Sequence, residues 1–104
     1  MIGFKVLVNG QSPWAPVIRN YKIGVPTTPR RGDGPLNVFN TLNMALVYLK
    51  VLGPGRELYL VEYSQSTHRK LWYMTAEGKA RTVPSWDSLE EDFADSITLI
   101  QRMR

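Results

Sequence analysis

Apolar and polar positions alternate from Ile2 to Val8, with Phe4, Val6 and Val8 on one side, and this period of two predicts a first strand. Asn9-Gly10-Gln11-Ser12-Pro13 follows, a turn sequence in which Asn and Gly tolerate positive φ and Pro ends pairing. Alternation resumes from Val17 to Ile23, where Val17, Tyr21 and Ile23 share a side broken by Arg19, so the two runs predict a hairpin. Residues 24–36 break the pattern. Three prolines and three glycines in these thirteen positions oppose any regular element. A loop this long in so short a chain marks a candidate binding loop, with Arg30, Arg31 and Asp33 as its charged residues.

Asn40 or Thr41 can cap a helix that runs to about Leu52, and Gly53-Pro54-Gly55 ends it. Glu57 to Tyr63 is rich in aromatic and branched residues and predicts a strand. Ser64 to Lys70 turns the chain into another strand, Leu71 to Thr75, and Glu77-Gly78 turns it again into a short strand from Ala80 to Val83. From Pro84-Ser85 the spacing changes. Trp86, Leu89 and Phe93 fall within a ~60° arc of a helical wheel, with acids around the rest, which predicts a short acidic helix. Ser96 to Arg102 closes the chain as a strand carrying Ile97, Leu99 and Ile100. The predicted order is β-β-α-β-β-β-α-β. Without regular βα alternation, the expected fold is one α+β domain over residues 1–104, a mainly antiparallel sheet of five or six strands packed on a strongly apolar central helix.

That helix carries two apolar stripes at helical spacing. One is Leu42, Ala45, Leu46 and Leu49; the other is Met44, Val47, Tyr48 and Val51. Residues 42 and 44 lie about 200° apart on the wheel, so the stripes occupy opposite sides. A surface helix needs one. The second is either covered by a curling sheet and the long loop, or packed on another copy or a partner, or turned toward a small-ligand pocket. Its assembly reading names Met44, Val47, Tyr48 and Val51 as the contact surface of a homodimer.

Composition narrows the classes. The chain has 104 residues, 43% hydrophobic and 21% charged, which suits a folded domain rather than a disordered one. It has no cysteine, so disulfides, thiolate nucleophiles and cysteine-ligated zinc are excluded. No run reaches the ~20 apolar residues of a membrane helix, and the first residues lack a secretory pattern. The expected location is cytoplasmic, with no membrane contact. The net charge of +4 is unevenly distributed: seven basic residues and one acid up to Arg56, then six basic residues and eight acids. Such a chain can attract a polyanion with one end or pair its halves.

Candidate chemistry is sparse. His68 is the only histidine and sits in a polar turn beside Arg69. The acids of 87–95 lack a cation-loop pattern and read as a solvated face. No nucleophile elbow, phosphate loop or dinucleotide fingerprint occurs, so no catalytic residue, metal or cofactor is expected. Arg31-Gly32-Asp33 matches an adhesion tripeptide, a match frequent by chance; its useful content is the Arg30-Arg31 pair on a Pro/Gly loop. The first reading is a non-enzymatic interaction protein, a homodimer taking a protein or small-ligand partner. Its compact, motif-poor style, a matter of size alone, is that of small products of phages and mobile elements. A nucleic-acid-binding module using Lys5, Arg19, Lys22, Arg30 and Arg31 is the alternative, with the eleven aromatics as stacking surfaces. A small transferase or hydrolase using His68 with a carboxylate from 87–95 is the third.

Overall fold

A computed structural model describes residues 1–12, 19–83 and 91–104. Four strands, β1 (Ile2–Leu7), β2 (Leu36–Phe39), β3 (Glu57–Gln65) and β6 (Glu91–Arg102), close into an antiparallel barrel in the order β1-β2-β6-β3. One helix, α1 (Leu42–Leu52), lies outside it, and β4 (Leu71–Met74) and β5 (Ala80–Val83) form a separate hairpin. This corrects the expected architecture. The strands do not make a five- or six-stranded sheet around a central helix, and the predicted acidic helix is absent from residues 91–95, which begin β6. The rest of that predicted helix, residues 84–90, lies outside the described residues, as do Val17 and Ile18 of the second predicted strand.

β6 makes closure feasible. Its first residues, Glu91 to Ala94, pair with β2, and Ala94 to Arg102 pair with β3. The register against β3 shifts twice, leaving Asp95 and Ile100 as extra residues. Each shift bends the strand and changes which parity faces inward. Inward positions are therefore Asp92 and Ala94 before the first shift and Ile97 and Leu99 after it, all buried. Across the barrel, β1 meets β2 with the register Phe4↔Phe39. A Cβ on Gly3 would stand 2.8 Å from the Phe39 carbonyl oxygen and 2.8 Å from the Tyr63 ring, so this approach requires glycine.

Leu7, Leu36, Val38, Tyr59, Val61, Tyr63, Ala94, Ile97 and Leu99 fill the barrel, joined by Tyr21. A second cluster forms outside, where Ala45 and Tyr48 of α1 cover Val6, Phe39 and Leu58. The Phe39 and Tyr48 rings meet at 5.2 Å, tilted by 56°. The Thr41 side chain caps the helix by accepting from the Met44 amide, and Gly53, at φ 86°, ends it.

The long Pro/Gly segment is fastened rather than loose. Asn9 and Gly10 turn the chain with φ of 51° and 75°, and Tyr21 N donates to Gly10 O. In place of the second predicted strand, residues 20–27 make isolated bridges: Gln11↔Asn20, Lys22↔Val25, Ile23↔Leu99 and Thr27↔Ile97. Thr27 exchanges both backbone hydrogen bonds with Ile97, at 2.8 and 2.9 Å, beyond the point where β2 stops covering β6. Among the described residues no helix is long and apolar enough to cross a membrane.

Candidate functional site

Long-range partners take up much of the negative charge. The Asp92 carboxylate lies at one end of the barrel and accepts from Tyr63 Oη at 2.8 Å, from Gln65 Nε2 at 3.1 and 3.3 Å and from Arg69 Nη1 at 3.2 Å, while its own neighbour Phe93 donates its amide at 2.8 Å. Burial raises the Asp92 carboxyl, but the donors outweigh it, Tyr63 first, then the Phe93 amide, Gln65 and Arg69, and the net shift is below the ordinary value. The Tyr63 hydroxyl is pushed up by burial and by Asp92. Asp33 accepts from Arg30 Nε at 2.7 Å and from the Met74 amide at 2.8 Å, leaving its side chain 3% exposed. Glu57 accepts from the Gly10 amide at 2.9 Å, and Glu91 is buried.

Among the described residues, the exposed carboxylates are Glu62, Glu77 and Asp95. The exposed cations are Lys22, Arg30, Arg31, Lys50, Arg69, Lys70, Lys79, Arg81, Arg102 and Arg104. Two of these, Arg30 and Arg69, carry ion pairs with Asp33 and Asp92. Among the described residues the exposed groups therefore carry a positive excess, seven by count and five once Arg30 and Arg69 are taken as paired. Asp87 and Glu90 lie outside the described residues.

Several of these cations gather where the long loop meets the hairpin. Gly34 N donates to Trp72 O at 2.8 Å, and Trp72 Nε1 donates to Gly32 O at 3.1 Å. The indole lies so close over Gly34 that an added Cβ would stand 2.5 Å from it, and Met74 lies against Gly32 in the same way. Trp72 and Met74 thus occupy the loop-facing side of β4, with the His68 ring edge-on to Trp72 at 5.0 Å. Alternation puts Leu71 and Tyr73 on the other side, where Tyr73 pairs directly with Arg81 of β5. Pairing continues one step, from Thr75 N to Lys79 O at 2.9 Å, and brings Lys79 onto the Tyr73 side.

The sequence-predicted residues scatter across this frame. Lys5 points into the barrel: it is 5% exposed, its ammonium donates to Asn37 O at 2.7 Å and Asn37 Oδ1 at 2.6 Å, and it lies 5.7 Å from the centre of the Tyr21 ring. It therefore does not face a phosphate backbone. Burial lowers Lys5 to about 7, against an opposing pull from Glu91. Arg19 is half-buried and donates from Nε to Thr28 O, and Lys22 is exposed at its own turn. Arg30 and Asp33 are joined to each other, and Arg31 is exposed beside them. On α1, Tyr48 is buried inside the chain and Met44 is partly buried beside it, while Val47 and Val51 are 51% and 64% exposed.

Among the described residues, His68 contacts Ser66 and Trp72. It is exposed, its backbone amide donates to Ser66 Oγ, and its ring meets Trp72. Asp92, the nearby carboxylate of the 87–95 run, is turned to Tyr63, Gln65 and Arg69. Among the described residues no group of three or more His, Asp or Glu is placed to hold a metal ion. Open depressions of about 480 Å³ and 520 Å³ lie over Glu62, Ser64, Ser96 and Thr98 and beside Leu46, Lys50 and Arg104. Tyr73 is among the aromatics offered as stacking surfaces, but Lys79 and Arg81 stand singly along the sequence and share a face with it only once β4 and β5 pair. Comparison with family models, with curated proteins and with solved structures finds no significant match to this chain.

Proposed function

We propose that this chain is a non-enzymatic binding module for a polyanionic partner. The observation that carries the reading is the partition of charge among the described residues: four carboxylates are buried or tied to donors and three stand exposed, while eight of the ten exposed cations lie outside the Arg30–Asp33 and Arg69–Asp92 ion pairs. Exposed cations of one sign raise the local potential and draw anions by long-range attraction, and salt weakens that attraction within a Debye length of about 8 Å at physiological ionic strength. Retention on a heparin matrix tests it. The chain is expected to bind at low salt and elute as salt rises, and the double variant Arg31→Glu, Arg81→Glu is expected to elute earlier. Passage of the unaltered chain through the matrix at low salt contradicts the reading.

Self-association is a second reading, favoured by Val47 and Val51, which stand one helical turn apart on α1 and are both exposed. Because Val47 is already half in solvent, Val47→Asp leaves the core intact and isolates assembly. Light scattering is expected to show a dimer that Val47→Asp converts to monomer; a monomer at every concentration removes this reading.

A further inference from the structure

The hairpin offers more than charge. On the side of β4–β5 turned away from the loop, Tyr73 is half-buried and Arg81, directly across from it, is exposed. Directly opposed residues in an antiparallel pair sit about 5 Å apart between Cβ atoms, so the guanidinium and the phenol ring share one surface. Lys79, exposed, follows on the same side toward the turn, and Leu71 continues the apolar contact at the other end. Arg31 stays with the loop on the other side of β4, where Gly32 and Gly34 fit under Met74 and Trp72. Trp72 is occupied by this anchoring, which leaves Tyr73 as the ring beside Arg81 and Lys79.

An aromatic ring beside two cations matches a polymer whose repeat couples a flat π-face to a phosphate. A sulfated or phosphorylated polymer without bases would use only the cations. Rings stack on the face of an unpaired base, which a duplex hides. The exposed residues of α1 are Leu42, Asn43, Val47, Lys50 and Val51, with a single cation, so among the described residues there is no basic helix for a groove. Resting on the polyanion reading, we propose that the β4–β5 hairpin binds single-stranded nucleic acid, with a base stacked on Tyr73 and neighbouring phosphates on Arg81 and Lys79.

Fluorescence anisotropy tests this with three probes: a 12-nucleotide oligothymidylate, a blunt duplex of mixed sequence and the same length, and a heparin oligosaccharide. The single strand is expected to bind more tightly than the duplex. Tyr73→Ala is expected to weaken single-strand binding by roughly 5- to 100-fold and to leave heparin binding unchanged, while Tyr73→Phe keeps both. Arg81→Gln, at an exposed position, is expected to weaken both probes and to reduce the salt slope by about 1. The proposal is overturned if the duplex binds as well as the single strand, or if Tyr73→Ala changes the single strand and heparin alike or neither. In those cases heparin binding still stands and the polyanion reading survives. Absence of binding to all three probes overturns both.

Discussion

Lys5 shows how far one residue's role can depend on contacts distant in sequence. It alternates with apolar neighbours in β1 and looks like a solvent-facing lysine, yet it is buried with its ammonium on Asn37, thirty-two positions away. Its pKa falls to about 7 through burial, against about 10.4 in an unfolded chain. Between those values the unfolded chain holds a proton that the folded chain has released, so stability rises with pH across that window. From pH 7 to 9.5 the gain is about 2–3 kcal/mol. The window closes at the upper end because burial raises Tyr21 to about 12, so ionisation of this phenol opposes folding above pH 10. Urea midpoints at pH 7 and pH 9.5 check this: the rise is expected in the unaltered chain and flattened in Lys5→Met. An equal rise in both would assign the effect elsewhere. Asp92 made the same kind of difficulty for the sequence reading. With Glu91 beside it, the pair read as solvated helix surface, whereas its donors Tyr63, Gln65 and Arg69 are supplied by distant segments.

Elements with local causes were legible. Thr41 and Gly53 bound α1 through side-chain and positive-φ capping, Asn9-Gly10 turns the chain, and β3, β4 and β5 follow their β-branched and aromatic runs. Elements made by long-range pairing were legible only in part. β2 is four residues long after a Pro/Gly segment, too short for alternation to announce it. Of β6, Ser96 to Arg102 were legible as a strand, while its start at Glu91 was hidden because the inward parity changes at Asp95. The two stripes of α1 resolved in a mixed way: the buried face takes Ala45 from one and Tyr48 from the other, and leaves Val47 and Val51 outside. At this scale the contact of loop and hairpin is testable, because Gly34 leaves no room for a side chain under Trp72. Gly34→Ala is expected to speed amide exchange at Gly34's replacement and at Met74, whose amide is held by Asp33, while Val61 in the barrel stays protected. Unchanged protection at Met74 would show that the loop does not depend on that approach.

For the whole molecule, the decisive rearrangement is of charge. Along the sequence the basic half precedes a slightly acidic one. In three dimensions Asp33, Glu57, Glu91 and Asp92 turn to internal partners or into buried positions, while the basic residues of the second half, Arg69, Lys70, Lys79 and Arg81, reach the surface around one hairpin. The candidate site was therefore half legible: Arg30 and Arg31 stood out on their Pro/Gly loop, but their neighbours across the hairpin did not. The most direct measurement is the affinity for inorganic polyphosphate over a series of salt concentrations, since a polyphosphate has charge and no other recognisable feature. A binding constant that falls steeply and linearly on logarithmic axes is expected, with a slope corresponding to several released counterions. Binding that ignores salt, or none at low salt, would contradict a surface built for a polyanion.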